Sequence, residues 1–339
     1  MHAQVQASAE LQLAVRVDGI TQGDVRSALW NERSLVKAWT IRGTLHLHPA
    51  DELPLWFAAR RAAAGATPTG AEEWRDPAGV LHPELAPEEV TAIQAAVLDA
   101  LDGRCLLRDE LTAEVVKRVG PKPQQRLRSG FAFFLNEVCQ GPPQGSKVTF
   151  ARPDQWIDGW REVDERDALR EVCRRYLYAC GPAGPNDFRS WFASRAFRPA
   201  DARALFESLQ LEEVDVEGHG AFVLAGDTRF PRPDHTARLL PEYDVYVMGF
   251  RERDELVPEG VREQVAAHGR GRYEGPAGVR FVLIEGMTAG LWERKKRGKR
   301  IELRVQPARK LPKADRDSIE DEAKRIGAFL GLEPLVTFE

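Results

Sequence analysis

Nowhere in the chain do the roughly 18 apolar residues needed to cross a bilayer follow one another without a charge. No membrane-spanning helix is therefore expected. Met1-His2-Ala3-Gln4 has no basic stretch leading into an apolar run, so no secretory signal is expected and the cytoplasm is the default compartment. Cysteine is scarce: Cys105, Cys139, Cys173 and Cys180 include no CxxC pair and have no histidine cluster beside them. That spacing speaks against the common zinc frameworks and suits small, reduced, buried thiols. No metal or other cofactor is expected. An excess of positive charge is also missing, with 48 Lys and Arg against 52 Asp and Glu and a formal net charge of −4. Taken alone, that sum argues against a nucleic-acid partner.

The distribution of charge argues the other way, because phosphates feel the facing surface and not the total. Between Arg294 and Lys310 nine basic residues meet Glu302 alone, a local balance of +8. Between Arg104 and Arg128 seven basic residues meet three acids, a balance of +4. Acid collects elsewhere, over 207–217 and 315–322. A length of 339 residues, 43% hydrophobic and 29% charged, is enough for two or three ordinary cores.

A repeated order of elements runs through most of the chain. A helix is expected from about Ser8 to Val17, a short helix over 25–30 behind Thr21-Gln22-Gly23-Asp24, a helix over 34–39 and a strand over 44–48, then a helix over 53–64. The order returns with helices over 87–101, 108–119 and 124–139, the last striped with Leu127, Phe131, Phe134, Leu135 and Val138, and with a strand over 147–152. It returns again with helices over 166–180, 184–192 and 199–209 and two strands, 211–216 and 221–224, joined by Glu217-Gly218-His219-Gly220 as a wing. The spacing is about 75 residues. Strands are expected over 239–250, 279–285, 288–292 and 300–305, with a basic turn at 295–299 and a closing helix over 314–330. The expected fold is α+β. Three tandem winged-helix modules (1–85, 86–160, 161–235) are followed by a C-terminal β-rich segment with a basic hairpin and a final helix (236–339).

The stretch Arg33-Ser34-Leu35-Val36-Lys37-Ala38-Trp39-Thr40-Ile41-Arg42-Gly43-Thr44-Leu45-His46-Leu47 resembles the signature of the AlkZ/YcaQ-type winged-helix DNA glycosylases. Stretches 181–192, 240–250 and 286–297 support the resemblance, which covers nearly the whole chain. It implies a tandem winged-helix enzyme that excises alkylated purines and unhooks interstrand crosslinks without a cofactor. It also implies a catalytic Gln–apolar–Gln motif, matched here by Gln4-Val5-Gln6, with a helical lead-in before it; here three residues precede Gln4.

Residues i and i+2 share a face only in an extended segment, so Gln4 and Gln6 converge if the chain is extended there. A glutamine amide accepts and donates hydrogen bonds but is no base at neutral pH. It suits a substrate whose leaving group is already activated, as in N7-alkylguanine. Gln6 is expected to position the nucleophilic water, and Gln4 to orient water or sugar beside it. No lysine stands beside the motif, so simple hydrolysis is expected.

Expected DNA contacts are Arg42, His46, Lys122, Arg126, Arg128, Arg294, Lys295, Lys296, Arg297, Lys299 and Arg300. Arg42 equally suits a capping role, and Trp39 suits the core better than a stacking platform. His46 and His48 share a strand face, which fits hydrogen bonding or DNA contact better than a metal lacking a third ligand. The expected partner is double-stranded DNA carrying alkylated bases or crosslinks, engaged by a nucleoid-associated monomer. The competing reading is a non-catalytic winged-helix regulator or architectural protein, which the modules and basic patches fit equally well.

Overall fold

A computed structural model describes the chain except residues 66–69, 77, 130–136, 193–195, 251–255 and 269–277. Contacts gather it into two units, one of Met1–Arg26, Tyr176–Trp191 and Gln210–Glu339, the other of Ser27–Arg175 and Phe192–Leu209. These units cut across the four consecutive segments read from sequence order.

The second unit is built on a five-stranded sheet in the order Leu45–Pro49, Leu35–Trp39, Cys139–Gln144, Lys147–Ala151, Leu106–Leu107. Leu35–Trp39, within the stretch 34–39 expected as a helix, thus form a strand paired antiparallel with 45–49. Arg42 and Gly43 take φ of 56° and 64° and reverse the chain between the two strands. Val36, Lys37, Ala38 and Trp39 are all buried, so the strand is covered on both faces and lacks the alternation that would reveal it. Helices Leu53–Ala64, Pro87–Ala100 and Arg108–Val119 stand where their patterns place them. Val36, Ala38, Leu53, Phe57, Cys139 and Trp156 share one buried cluster. The third helix of the second repeat begins at Gln124 as expected, but Cys139 belongs to a strand, pairing with Ala38 and Ala151. Of its expected apolar stripe, Leu127 and Val138 are buried, whereas Phe131, Phe134 and Leu135 lie outside the described residues.

Helices Glu165–Cys180, Pro185–Phe192 and Pro199–Glu207 follow the expected order. The expected wing is the hairpin Leu211–Val216 and His219–Leu224. Its two turn residues, Glu217 and Gly218, both have positive φ (51° and 87°), the geometry that matches strand twist in a two-residue hairpin.

The first unit carries a second five-stranded sheet, ordered Ala237–Leu240, Phe281–Ile284, Met287–Arg297, Arg300–Pro307, Glu333–Phe338. The last strand, which follows the expected closing helix (Lys313–Leu330), runs parallel to its neighbour. Residues 245–249, expected as strand, form a helical turn because Asp244 accepts the backbone N–H of Tyr246 (2.9 Å) and caps it. A helix over Glu259–His268 adds Val261 and Val265 to the core under this sheet.

The N-terminal helix, Gln6–Arg16, starts two residues before the expected Ser8 and packs against this unit. Val15 joins Leu240, Val247, Phe281 and Leu291 in the core, and burial of such a side chain is worth about 1.5–3 kcal/mol. Ser8 donates its hydroxyl to the Glu242 carbonyl, and Gln12 donates to the His2 carbonyl (2.9 Å). Arg16 forks onto Asp244 through two bonds of 3.0 and 2.7 Å, and the Asp244 side chain is 1% exposed. Replacing Arg16 by Ala strands that carboxylate without its counter-ion. Denaturant unfolding is expected to show a loss of about 2–3 kcal/mol. A loss below about 0.5 kcal/mol, the range of ordinary surface changes, would remove the pair from the forces holding this helix.

Candidate active site and nucleic-acid interface

The Gln4-Val5-Gln6 motif straddles the change from extended chain to helix. Val5 is extended (φ −108°, ψ 110°), and its carbonyl accepts the first helical N–H groups, from Ser8 and Ala9, at 3.1 Å each. Gln4 is exposed and Gln6, the first helical residue, is half-buried. Gln6 Nε2 donates to Glu10 Oε1 across one turn (3.3 Å). The Glu10 side chain is 1% exposed and also accepts from Gln22 Nε2 (2.6 Å) and Arg26 Nε (3.1 Å). Thr21 and Asp24 cap the helix that carries these two donors, each side chain accepting the other's backbone N–H (3.2 and 2.7 Å).

A polar cavity of about 260 Å³ adjoins Val5, lined among others by Glu242, Tyr243, Arg280, Trp292 and Glu293. Arg280 pairs with Glu242 (2.7 Å) and sits over the Trp292 ring (5.8 Å). Arg294 stands half-buried beside this group, and burial, with the nearby Arg280 charge, lowers its guanidinium pKa from the ordinary value. The arrangement offers amide donors and acceptors at an open edge, backed by fixed charges. It suits holding water and a polar, charge-developing group rather than proton abstraction.

The rest of the basic cluster lies on the hairpin of Met287–Arg297 and Arg300–Pro307, with Arg297 opposite Arg300 and Gly298 at φ 58° in the two-residue turn. Lys295, Lys296 and Lys299 are exposed and, among the described residues, no carboxylate lies within ion-pair distance of them. At exposed positions Arg297 lies 3.5 Å from Glu302, and Arg300 Nε donates a hydrogen bond to Glu333 (2.8 Å).

The remaining expected contacts fare differently. Lys122 is exposed but paired with Glu89 (2.7 Å), and Arg128 is exposed. Arg126 is 6% exposed and donates to the backbone carbonyls of Ala71, Glu72, His82 and Pro83, tying down the loop that they belong to. Its place in a recognition surface is corrected, because those carbonyls take its donors inside the protein. His46 is likewise corrected: it is 3% exposed and its Nδ1 faces the Thr44 carbonyl (3.0 Å). Arg42, half-buried, sits in the strand-reversing turn. Trp39 is buried and stacks on Phe150 at 6.0 Å. Among the described residues no three His, Cys, Asp or Glu side chains are placed to hold a metal ion, and no helix is long and apolar enough to cross a membrane.

A family model described as DNA glycosylase AlkZ-like matches residues 1–329. The chain belongs to the AlkZ-like DNA glycosylase family. The glycosylase is 32% identical over 309 residues, 86% of its length and 79% of the relative's, to an interstrand DNA cross-link repair glycosylase of Streptomyces sahachiroi. Its fold superposes on the solved structure of DNA glycosylase AlkZ from the same organism with a TM-score of 0.80 at 28% identity, covering 100% of this chain and 91% of the other. It is accordingly a mixed α/β enzyme that hydrolyses N-glycosidic bonds.

Sequence reasoning missed Glu10, Gln22, Arg26, Glu242 and Arg280 in this glycosylase. The spacing of Gln6 and Glu10, one helical turn, was the available signal.

His48 accepts or donates a bond with Thr40 Oγ1 (2.9 Å) and packs on Trp56 (4.8 Å), and burial lowers its pKa well below 6.5. With its folded pKa depressed, His48 binds a proton in the unfolded chain first. Its contribution to stability is full above about pH 6.5 and is lost as pH falls below that, with a limiting slope of about 1.4 kcal/mol per pH unit. Chemical denaturation between pH 7 and pH 5 is expected to show this slope in the wild type and a shallower one in His48→Gln. Equal slopes would mean that His48 takes up a proton in the fold as readily as in the unfolded chain.

Proposed function

We propose that the chain hydrolyses the N-glycosidic bond of N7-alkylated guanine in duplex DNA, using Gln4 and Gln6, and that it acts as a monomer in repair of alkylation damage. The observation that carries this reading is the Gln6 amide, anchored by a buried carboxylate and next in sequence to Val5, which lines a polar cavity. N7-alkylation gives the base a positive charge. When the bond from C1′ to N9 breaks, the electron pair neutralises the departing base, so no strong general acid is required. Charge then develops on the sugar. The Gln6 carbonyl oxygen holds a water against C1′, the Gln4 amide orients water or sugar beside it, and the proton released on attack passes to solvent. Unhooking an interstrand crosslink is the same bond cleavage on a bridged N7-alkylguanine, and the relative's name supports that extension.

We further propose that the modules 1–85, 86–160 and 161–235 act as winged-helix supports. The interface with phosphates comprises Lys295, Lys296, Arg297, Lys299 and Arg300 on the hairpin, Arg294 at its base near the site, and Lys122, Arg128 and Arg42 as secondary contacts.

Gln6→Ala is expected to slow release of N7-methylguanine from methylated duplex DNA by about 10²-fold, the scale of losing one preorganised transition-state group. Release at the wild-type rate would end the assignment. Neutralising Lys295, Lys296, Arg297 and Lys299 together is expected to flatten the logarithmic salt dependence of DNA binding, by up to about 0.9 for each phosphate that is no longer neutralised. An unchanged slope would place the hairpin outside the interface.

A further inference from the structure

We infer that Glu10 is a positioning residue that sets which end of the Gln6 amide meets the substrate water, an inference resting on the catalytic role proposed for Gln6. A carboxylate only accepts hydrogen bonds, so the Gln6 atom 3.3 Å from Glu10 Oε1 is the NH2 end of its amide. The carbonyl oxygen is then the end turned away from Glu10, and that is the polarity needed to accept a hydrogen from a water attacking C1′. With the amide reversed, Gln6 would offer the water a donor and would leave two acceptors facing each other. The carboxylate is itself fixed. It is buried, Arg26 Nε shares Oε1 at 3.1 Å, and Gln22 Nε2 holds Oε2 at 2.6 Å. Three donors converge on this one acceptor from two helices, Gln6–Arg16 and Gln22–Trp30.

Arg26 separates the need for an oxygen from the need for a charge. It can only donate, so in a Glu10→Gln variant it keeps the new amide oxygen at the Oε1 place, and Gln22 turns over to meet the NH2. Gln6 keeps its acceptor. The role therefore demands an oxygen at that position and not a negative charge.

The test is single-turnover release of N7-methylguanine from duplex DNA by Glu10→Met, Glu10→Gln and Gln6→Ala, and by Glu10→Met combined with Gln6→Ala. Duplex affinity and melting are measured on each. Glu10→Met is expected to lower the excision rate at saturating enzyme by about 10- to 100-fold, the scale of a misplaced catalytic group, with duplex affinity kept within about twofold. Glu10→Gln is expected to retain most of the rate. In the Gln6→Ala background Glu10→Met is expected to cost almost nothing further, because it acts through Gln6. A merely structural role would instead lower the rate by the same factor in both backgrounds, and that result overturns the inference. So does a wild-type rate in Glu10→Met. Should Glu10→Met fail to fold, Glu10→Asp keeps a carboxylate for Arg26 while withdrawing it from Gln6; the same loss is expected, and a wild-type rate there overturns the inference. Wild-type release by Gln6→Ala would overturn the catalytic reading and this inference together, whereas slow Gln6→Ala with fast Glu10→Met overturns this inference alone.

Discussion

The pairing of Arg16 with Asp244 joins residues 228 apart in sequence, and the placing of the candidate site depends on it. Asp244 is buried, so its charge is tolerable only with a close counter-ion and satisfied oxygens. It has both: Arg16 gives one hydrogen bond to each oxygen, and the Tyr246 N–H adds a third. The same carboxylate thereby docks the C-terminal end of the first helix and starts the helical turn Val245–Gly249. At the other end of that helix, Ser8 reaches the carbonyl of Glu242, two residues earlier on the same loop. The loop 241–244 is in effect a template against which the motif-bearing helix is aligned. The loop is thereby fixed beside the first helix although more than 200 residues separate them.

The electrostatic design separates two tasks. Around the motif, charges are paired and partly buried: Glu10 with Arg26, Glu242 with Arg280, and Arg294 held close by. Fixed dipoles and charges of this kind act on developing charge without reorganising. On the hairpin tip the cations are exposed and, among the described residues, Lys295, Lys296 and Lys299 have no acidic partner, which suits a mobile, salt-screened phosphate backbone. A net charge of −4 is compatible with both, because among the described residues no carboxylate lies within ion-pair distance of these three lysines.

Much of this architecture was legible from local chemistry. Thr21 and Asp24 announced a cap, Leu53–Ala64 and Arg108–Val119 are helices where helices were expected, and the wing and basic hairpin were marked by glycine between β-prone runs. What stayed hidden depends on partners far away in sequence. Leu35–Trp39 carries no alternation because both its faces are covered. Val245-Tyr246-Val247 has β propensity, yet the side chain of Asp244 commands the backbone there. Glu333–Phe338 is a strand only because Arg300–Pro307 offers it an edge. For the candidate site, Gln4-Val5-Gln6 stood out through the family resemblance, but the place of Arg126 was hidden: a cation on a helix looks the same in sequence whether it faces phosphate or, as here, four backbone carbonyls. Glu10 was visible only as spacing, and its burial required Gln22 and Arg26 from the next helix.

The most direct test of the account is a structure of the protein bound to duplex DNA containing a cationic azasugar in place of one nucleotide's sugar, a mimic of the charge that develops at C1′. The expected result is the azasugar nitrogen beside the Gln4-Val5-Gln6 edge, with a water held between it and the Gln6 carbonyl oxygen. An azasugar bound elsewhere on the protein, with Gln4 and Gln6 facing only solvent, would contradict it.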